Sequence, residues 1–214
     1  MKHLVEYIYE AIKQLPKNVT GLIVFDIDDT LLRVNADIIK VIKHPGGDKS
    51  KSIHLSSDEY AKDPDADEHP NWFDFSEFND AIKVYNSIIS GTPLIKNLRI
   101  LDAYINAGYD FCFLTARGCE DVVTKALDEF LRIRDNNGKL NKLGEKFKKT
   151  LSHAINDVKK EYPGNNTAEK KSKVLVDLCK KYDRVIFVDD DKKNVRIARD
   201  LKLDNLTVIN AWAD

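Results

Sequence analysis

The sequence predicts an α/β fold, a three-layer sandwich with a mainly parallel sheet and an insertion after the first strand. Two apolar runs carry this reading. Leu22-Ile23-Val24-Phe25 leads into Asp26-Ile27-Asp28-Asp29-Thr30, and Val185-Ile186-Phe187-Val188 leads into Asp189-Asp190-Asp191. Each has the form of a strand buried on both faces that delivers acids to the carboxyl edge of a sheet, where open α/β folds place their ligands. Between and after them, strand-length runs alternate with segments of helical periodicity, which implies right-handed crossovers.

The elements follow in order. Lys2 to Gln14 reads as a helix, with Leu4, Ile8, Ala11 and Ile12 on one face and Pro16 just beyond its end. Leu22 to Asp26 is the first strand. From Arg33 to Pro93 the pattern is irregular, with Pro45, Gly46, Gly47, Pro64 and Pro70 and an aromatic group, Trp72, Phe73, Phe75 and Phe78. Leaving the sheet directly after the first acids, this stretch is expected to form a mostly helical cap or lid over the catalytic edge. Within it a helix is predicted over Ser76 to Ile89, closed by Gly91. Leu94 to Ala107 is amphipathic, Tyr109 to Leu114 is a second buried strand ending at Thr115, and Glu120 to Leu131 is helical. Leu140, Leu143, Phe147, Leu151, Ile155 and Val158 repeat at helical spacing, so residues 132–166 read as a helical insertion with a lysine-rich outer face. No clear apolar strand stands between Leu131 and Lys171. Thr167 to Tyr182 is a helix, Arg184 to Asp189 a strand, Lys192 to Leu201 a helix and Leu206 to Ile209 a last strand.

Composition narrows the function classes. The 214 residues suit a single α/β domain with insertions and a well-buried core. A formal net charge of -1 gives no global field toward nucleic acid or a membrane surface. Cys112, Cys119 and Cys179 are odd in number and lack metal-ligand spacing, so they read as free thiols of a reducing compartment. Met1 to Glu6 has no apolar core of a secretory signal, and no run approaches the roughly 18 apolar residues of a membrane span. A cytoplasmic location is the expectation.

The chemistry lies in the acids. Asp26, Asp28 and Asp29 repel one another unless a cation or a retained proton compensates. Two strands that end in acids, far apart in sequence, are expected to be neighbours converging on one hard divalent cation. Oxygen-only donors without His or Cys favour Mg²⁺ over Zn²⁺.

Four elements stand in order: Asp26-Ile27-Asp28-Asp29-Thr30, Leu114-Thr115-Ala116-Arg117-Gly118, the lysines around Lys171, and Asp189-Asp190-Asp191. This order resembles the haloacid dehalogenase (HAD) superfamily, whose members are mostly Mg²⁺-dependent phosphohydrolases. The resemblance spans Leu22 to about Ile209. It implies a Rossmann-like core and a set of roles. Asp26 is the nucleophile that forms an aspartyl-phosphate. Asp28 protonates the leaving oxygen and then activates water. Mg²⁺ is held by the Asp26 carboxylate, the Asp28 backbone carbonyl, Asp189 and Asp190, with Asn194 behind them. Thr115 and the Ala116 N–H meet a phosphoryl oxygen, and Thr30 holds its turn through nearby backbone.

The lysine is to be chosen among Lys170, Lys171 and Lys173. Lys171 alone shares a face with Val174, Leu175 and Leu178, so it is preferred, with Asp26 as its anionic partner. Arg33 and Arg117 either touch substrate phosphate or form surface pairs. The aromatic group either lines a pocket or packs the insertion. Cys119 is a spectator thiol, or one whose acidity is raised by a helix start.

The resemblance therefore implies a Mg²⁺-dependent phosphatase acting on a small phosphorylated substrate. One alternative is an enzyme like the polynucleotide 3′-phosphatases, with the basic residues of 139–149 tracking nucleic acid. Others are a phosphotransferase and a non-catalytic phosphate- or partner-binding module on the same scaffold.

Overall fold

The computed structural model describes residues 19–34, 36–41, 52–133 and 152–212. The helix expected over residues 2–14 and the basic stretch 139–149 lie outside them. Strand β1 (Gly21–Phe25) is followed by β2 (Leu32–Arg33), β3 (Ile38–Lys40) and β4 (Ile53–Leu55), then α1 (Ser57–Lys62) and α2 (Asp65–Glu68). Next come β5 (Phe73–Asp74), α3 (Ser76–Asn79), α4 (Ala81–Ile89), β6 (Thr92–Pro93), α5 (Ile95–Asn106) and β7 (Asp110–Thr115). The chain continues through α6 (Glu120–Ile133), β8 (Ser152–Ala154), α7 (Thr167–Cys179), β9 (Arg184–Asp189), α8 (Lys192–Asp200) and β10 (Leu206–Asn210).

Five strands form one parallel sheet in the order β10-β9-β1-β7-β8. From β1 the chain steps outward to β7 and β8, then crosses back to β9 on the other side of β1. The order therefore reverses between β1 and β9, the place where such sheets open a crevice at their carboxyl ends. The register pairs Phe25 with Val188, so the two acid runs leave adjacent strands side by side.

Alternation along each strand builds two cores. Ile23, Phe25, Phe111, Phe113, Ile186 and Val188 pack against Val84, Ile88, Leu101, Val123 and Leu127 of α4, α5 and α6. Leu22, Val24, Cys112, Leu114, Val185 and Phe187 pack on the other face against Val174, Leu175 and Leu178 of α7 and Ala198 of α8. Each fully buried side chain of this size contributes about 1.5–3 kcal/mol before the entropy of ordering it is set against it. Gly21 starts β1 because the Tyr109 ring lies over it: a Cβ there would sit 2.4 Å from a ring carbon.

Two expectations are corrected, and a third is extended. Helices form most of the regular structure described in the insertion after β1, as expected, and small sheets accompany them. These are an antiparallel sheet of order β4-β3-β5 and a β2-β6 pair, which ties the start of the insertion to its end. The single helix over Ser76 to Ile89 is two, because Asp80 is extended (ψ 125°) and its carboxylate caps α4 through the Ile82 and Lys83 N–H groups. The helical spacing over 140–158 does not hold where the chain is described. Ser152-His153-Ala154 is instead the missing strand, paired in parallel with β7, and Val158 is exposed.

Candidate functional site

Asp26 follows β1 directly, and its N–H donates to the Val188 carbonyl at 2.9 Å, which extends the β1–β9 ladder by one step. Asp189 ends β9. The carboxylates of Asp26, Asp189 and Asp190 each place an oxygen within 4.8 Å of the others, a group that could hold a metal ion. Asp26 and Asp189 are buried, and Asp190 is partly so.

Lys171 sits between the two strands. Its helix, α7, is capped by the Asn166 side chain, which accepts from the Glu169 N–H. From that start, the 3.6-residue period turns Lys171, Val174, Leu175 and Leu178 inward and leaves Lys173 exposed. The Lys171 ammonium donates to Asp26 Oδ1 at 2.7 Å and to Asp189 Oδ2 at 2.8 Å. Lys170 instead donates to Asn156 Oδ1 at 3.0 Å.

Asp189 is held from the other side as well. The Asn194 amide, on the first turn of α8, donates to both of its oxygens at 3.2 and 3.1 Å. The Asp191 N–H donates to Oδ1 at 2.9 Å, while the Asp191 carboxylate caps α8 through the Lys193 and Asn194 N–H groups. Asp191 is thus the helix cap of its run, and Asp189 and Asp190 are the members that face the site.

Thr30 departs from expectation. Rather than bonding to nearby backbone, its hydroxyl donates to Asp190 Oδ1 and accepts from the Asp190 N–H, both at 2.9 Å. The turn that carries it is closed by Leu31 and Leu32 N–H groups donating to the Ile27 carbonyl. Asp29 takes a left-handed conformation (φ 53°) there, which Asp tolerates better than most residues.

Arg117 also departs from expectation. It is fully buried, so its pairing is with a neighbour inside the fold and not a surface pair. Its Nε donates to Asp28 Oδ2 at 2.9 Å and its Nη2 to Asp28 Oδ1 at 2.6 Å, while Nη1 donates to Ser87 Oγ at 2.8 Å. The Arg117 N–H donates to Thr115 Oγ1 at 3.2 Å, and Thr115 is fully buried at the end of β7. The Ala116 carbonyl accepts from the Asn156 amide at 2.6 Å. Space is tight at Gly118, where a Cβ would meet the end of the exposed Asn79 side chain at 2.7 Å and the Asn156 carbonyl at 3.1 Å. Arg33 is exposed on β2, and among the described residues no hydrogen bond or ion pair joins it to the acids.

The electrostatics follow from the count. If all are ionised, Asp26, Asp189 and Asp190 against Lys171 give 3 − 1 = 2 uncompensated negative charges in a site with little solvent. Burial raises the Asp26 carboxyl well above the ordinary range, Lys171 opposes this, and Asp189, Asp190 and Asp28 add to it. Burial, then Asp189, pushes Asp190 up to about 7, against the hydrogen bond from Thr30. Burial works to discharge Lys171, but Asp189 and Asp26 outweigh it and hold its proton more firmly than usual. Both directions express one imbalance: the lysine stays charged, and the remaining negative charge is relieved on the carboxylates, by a proton or by a cation.

The weaker candidates resolve into packing. Phe73 and Phe78 are buried with Ala36 and Ile38, and Tyr60 meets Phe73 and Phe75 edge-on. Trp72 stacks on His69. The aromatic group is therefore the core of the insertion. The Cys119 thiol donates to the Asn79 carbonyl and is made less acidic, not more, by burial and then by Asp157.

Two contributors escaped the sequence reading. Asn97 Nδ2 donates to the Thr30 carbonyl at 2.7 Å, and Ser87 supports Arg117. The signal was a polar residue on an apolar stripe: Asn97 lies beside Leu98 and three residues after Leu94, and Ser87 lies between Val84 and Ile88. Neither position names a partner by itself.

A scan against protein-family models and a search of curated proteins find no match to this chain. Among the described residues, no helix is long and apolar enough to cross a membrane.

Proposed function

We propose that the chain is a Mg²⁺-dependent phosphomonoester hydrolase of the HAD type, with Asp26 as nucleophile. The observation that carries this reading is the Lys171 ammonium held between Asp26 and Asp189, with Asp190 alongside, at the carboxyl ends of adjacent parallel strands. A purely structural Lys–Asp pair would need one acid rather than three.

The donor set fits Mg²⁺. It is all oxygen, and carboxylate oxygens within 4.8 Å need only small shifts to reach the spacing of about 3–4 Å that an octahedral ion with bonds of about 2.1 Å imposes. Asp26, Asp189 and Asp190 would hold the ion. When bound, it supplies neutralisation of charge on the transferring phosphoryl group.

The chain's own residues divide the remaining work. In the first step, an Asp26 carboxylate oxygen bonds to phosphorus, the bond from phosphorus to the leaving oxygen breaks, and Asp28 gives that oxygen its proton. In the second, water bonds to phosphorus, the Asp26–phosphorus bond breaks, Asp28 takes a water proton, and phosphate departs. Lys171 keeps Asp26 oriented and offsets charge at phosphorus. Thr115 offers its hydroxyl hydrogen to a phosphoryl oxygen, its oxygen already accepting from Arg117. A small phosphorylated molecule is the substrate class.

The test is hydrolysis of p-nitrophenyl phosphate with and without Mg²⁺, by wild type and by Asp26→Asn. Metal-dependent turnover lost in the variant supports the reading. Turnover that survives in Asp26→Asn rejects it. If neither protein turns over, stabilisation by beryllofluoride with Mg²⁺ separates a selective enzyme from a site that does not assemble.

A further inference from the structure

We infer that Arg117 is a positioning residue for Asp28, and that the inserted segment holds Arg117 in place through Ser87 and Phe78. This inference rests on the phosphatase reading above.

A buried ion pair alone is weak grounds for a stabilising role, because well-packed apolar residues often serve as well or better. What a guanidinium supplies that they do not is a planar fork that fixes a carboxylate's orientation. Arg117 uses that fork fully. Nε and Nη2 take the two oxygens of Asp28, at 2.9 and 2.6 Å. Nη1 is anchored on Ser87 Oγ at 2.8 Å, and the guanidinium lies 5.1 Å from the centre of the Phe78 ring.

The two partners differ in freedom. The Arg117 side chain is 0% exposed, whereas that of Asp28 is 13% exposed. Arg117 is thus the fixed member, and Asp28 is the one that reaches toward solvent and substrate. Its supports come from two parts of the chain. Arg117 itself is placed by the turn after β7, where its N–H meets Thr115. Ser87 on α4 and Phe78 on α3 belong to the segment inserted after β1. The Gly118 N–H donates to the Phe78 carbonyl at 2.9 Å, which fastens that segment to the same turn. The segment expected to cap the catalytic edge therefore also sets the aim of the group that moves the proton.

Proton delivery matters most for poor leaving groups, so the experiment is a leaving-group series. Values of kcat/KM would be measured for p-nitrophenyl phosphate, phenyl phosphate and glycerol phosphate, with wild type, Arg117→Lys, Ser87→Ala, Asp28→Asn and the Arg117→Lys/Asp28→Asn pair, each checked for folding by its melting curve. Loss of general-acid positioning predicts a fall of about 10- to 100-fold on phenyl and glycerol phosphate in Arg117→Lys, but at most about threefold on p-nitrophenyl phosphate. Ser87→Ala shows the same pattern more weakly and carries the test if Arg117→Lys does not fold. In the Asp28→Asn background, Arg117→Lys has no further effect.

An equal fall on all three esters, no fall at all, or additive losses in the double variant would overturn this role. If Asp26→Asn is inactive while the series is flat, the role of Arg117 fails and the phosphatase reading stands. If wild type hydrolyses none of the esters, the role of Arg117 fails and stabilisation by beryllofluoride with Mg²⁺ decides whether the phosphatase reading stands; if Asp26→Asn hydrolyses them, both fail.

Discussion

Thr30 and Asp190 hold each other by two hydrogen bonds, the Thr30 hydroxyl donating to Asp190 Oδ1 and accepting from the Asp190 N–H, each at 2.9 Å. They stand on different loops, one after β1 and one after β9, so this clasp closes the crevice between the strands. Thr30→Val keeps the shape but leaves a carboxylate oxygen and an N–H without their partner. We predict a loss of about 1–3 kcal/mol in urea unfolding, with Thr30→Ser within about 1 kcal/mol of wild type. Equal losses in both variants would show that the methyl group, not the hydroxyl, matters.

Lys171→Met removes the ammonium from a buried pair of carboxylates while keeping most of its volume. Breaking such a pair from one side costs about 3–5 kcal/mol. The loss is expected in full for metal-free protein near pH 8 and is expected to shrink in acid, where Asp26 takes up a proton. Thermal melts at the two pH values, with and without Mg²⁺, measure it. A loss independent of both pH and metal would contradict the electrostatic account.

The pH dependence of the metal-free protein has a definite sign. Asp190 is raised from an ordinary 3.8 to about 7. Below the ordinary value both folded and unfolded chains carry its proton, and the contribution to stability is fully present. Between about 4 and 7 only the folded chain keeps the proton, so stability falls as pH rises, and above about 7 the contribution is lost. Asp190→Asn removes this slope. The variant should melt above metal-free wild type at pH 8 by about 3–6 °C, equivalent to about 1–2 kcal/mol for a chain of this size, with a smaller gap at pH 5. A gap that widens toward pH 5 would have the wrong sign.

Gly21→Ala tests the packing that places β1. Its Cβ would come within 2.4 Å of the Tyr109 ring, which is buried and has Tyr104 edge-on against it. We expect destabilisation of about 1–3 kcal/mol, read by urea unfolding. An unchanged midpoint would show that the ring moves aside freely.

The parts of this site that were legible in the sequence are those carried by strong local patterns. Strands β1, β7 and β9 are apolar runs with nothing else they could be, and the acids follow them directly. The inward turn of Lys171 is a matter of helical period alone. The illegible parts depend on contacts between distant segments. Ser152-His153-Ala154 is too short and too polar to announce a strand, and it becomes one because β7 offers an open edge. Arg117 looks like any arginine after a turn until Asp28 and Ser87 are brought to it. Thr30 bonds across the crevice because the β1–β9 register sets Asp190 beside it, and no spacing within its own loop shows that. The small sheets of the insertion were illegible for a related reason: the antiparallel strands β3, β4 and β5 are two or three residues each, below the length at which alternation is readable.

The most direct test of the central claim is to find the phosphoryl group on Asp26. Asp28→Asn should slow water attack more than it slows phosphoryl transfer from an ester with a good leaving group. This variant, mixed with p-nitrophenyl phosphate and Mg²⁺, quenched in acid and mapped by peptide mass spectrometry, should carry one phosphoryl group on the peptide containing Asp26. No such group should appear when Asp26 is also changed to Asn. Turnover with no adduct, or an adduct on another residue, would contradict Asp26 as the nucleophile.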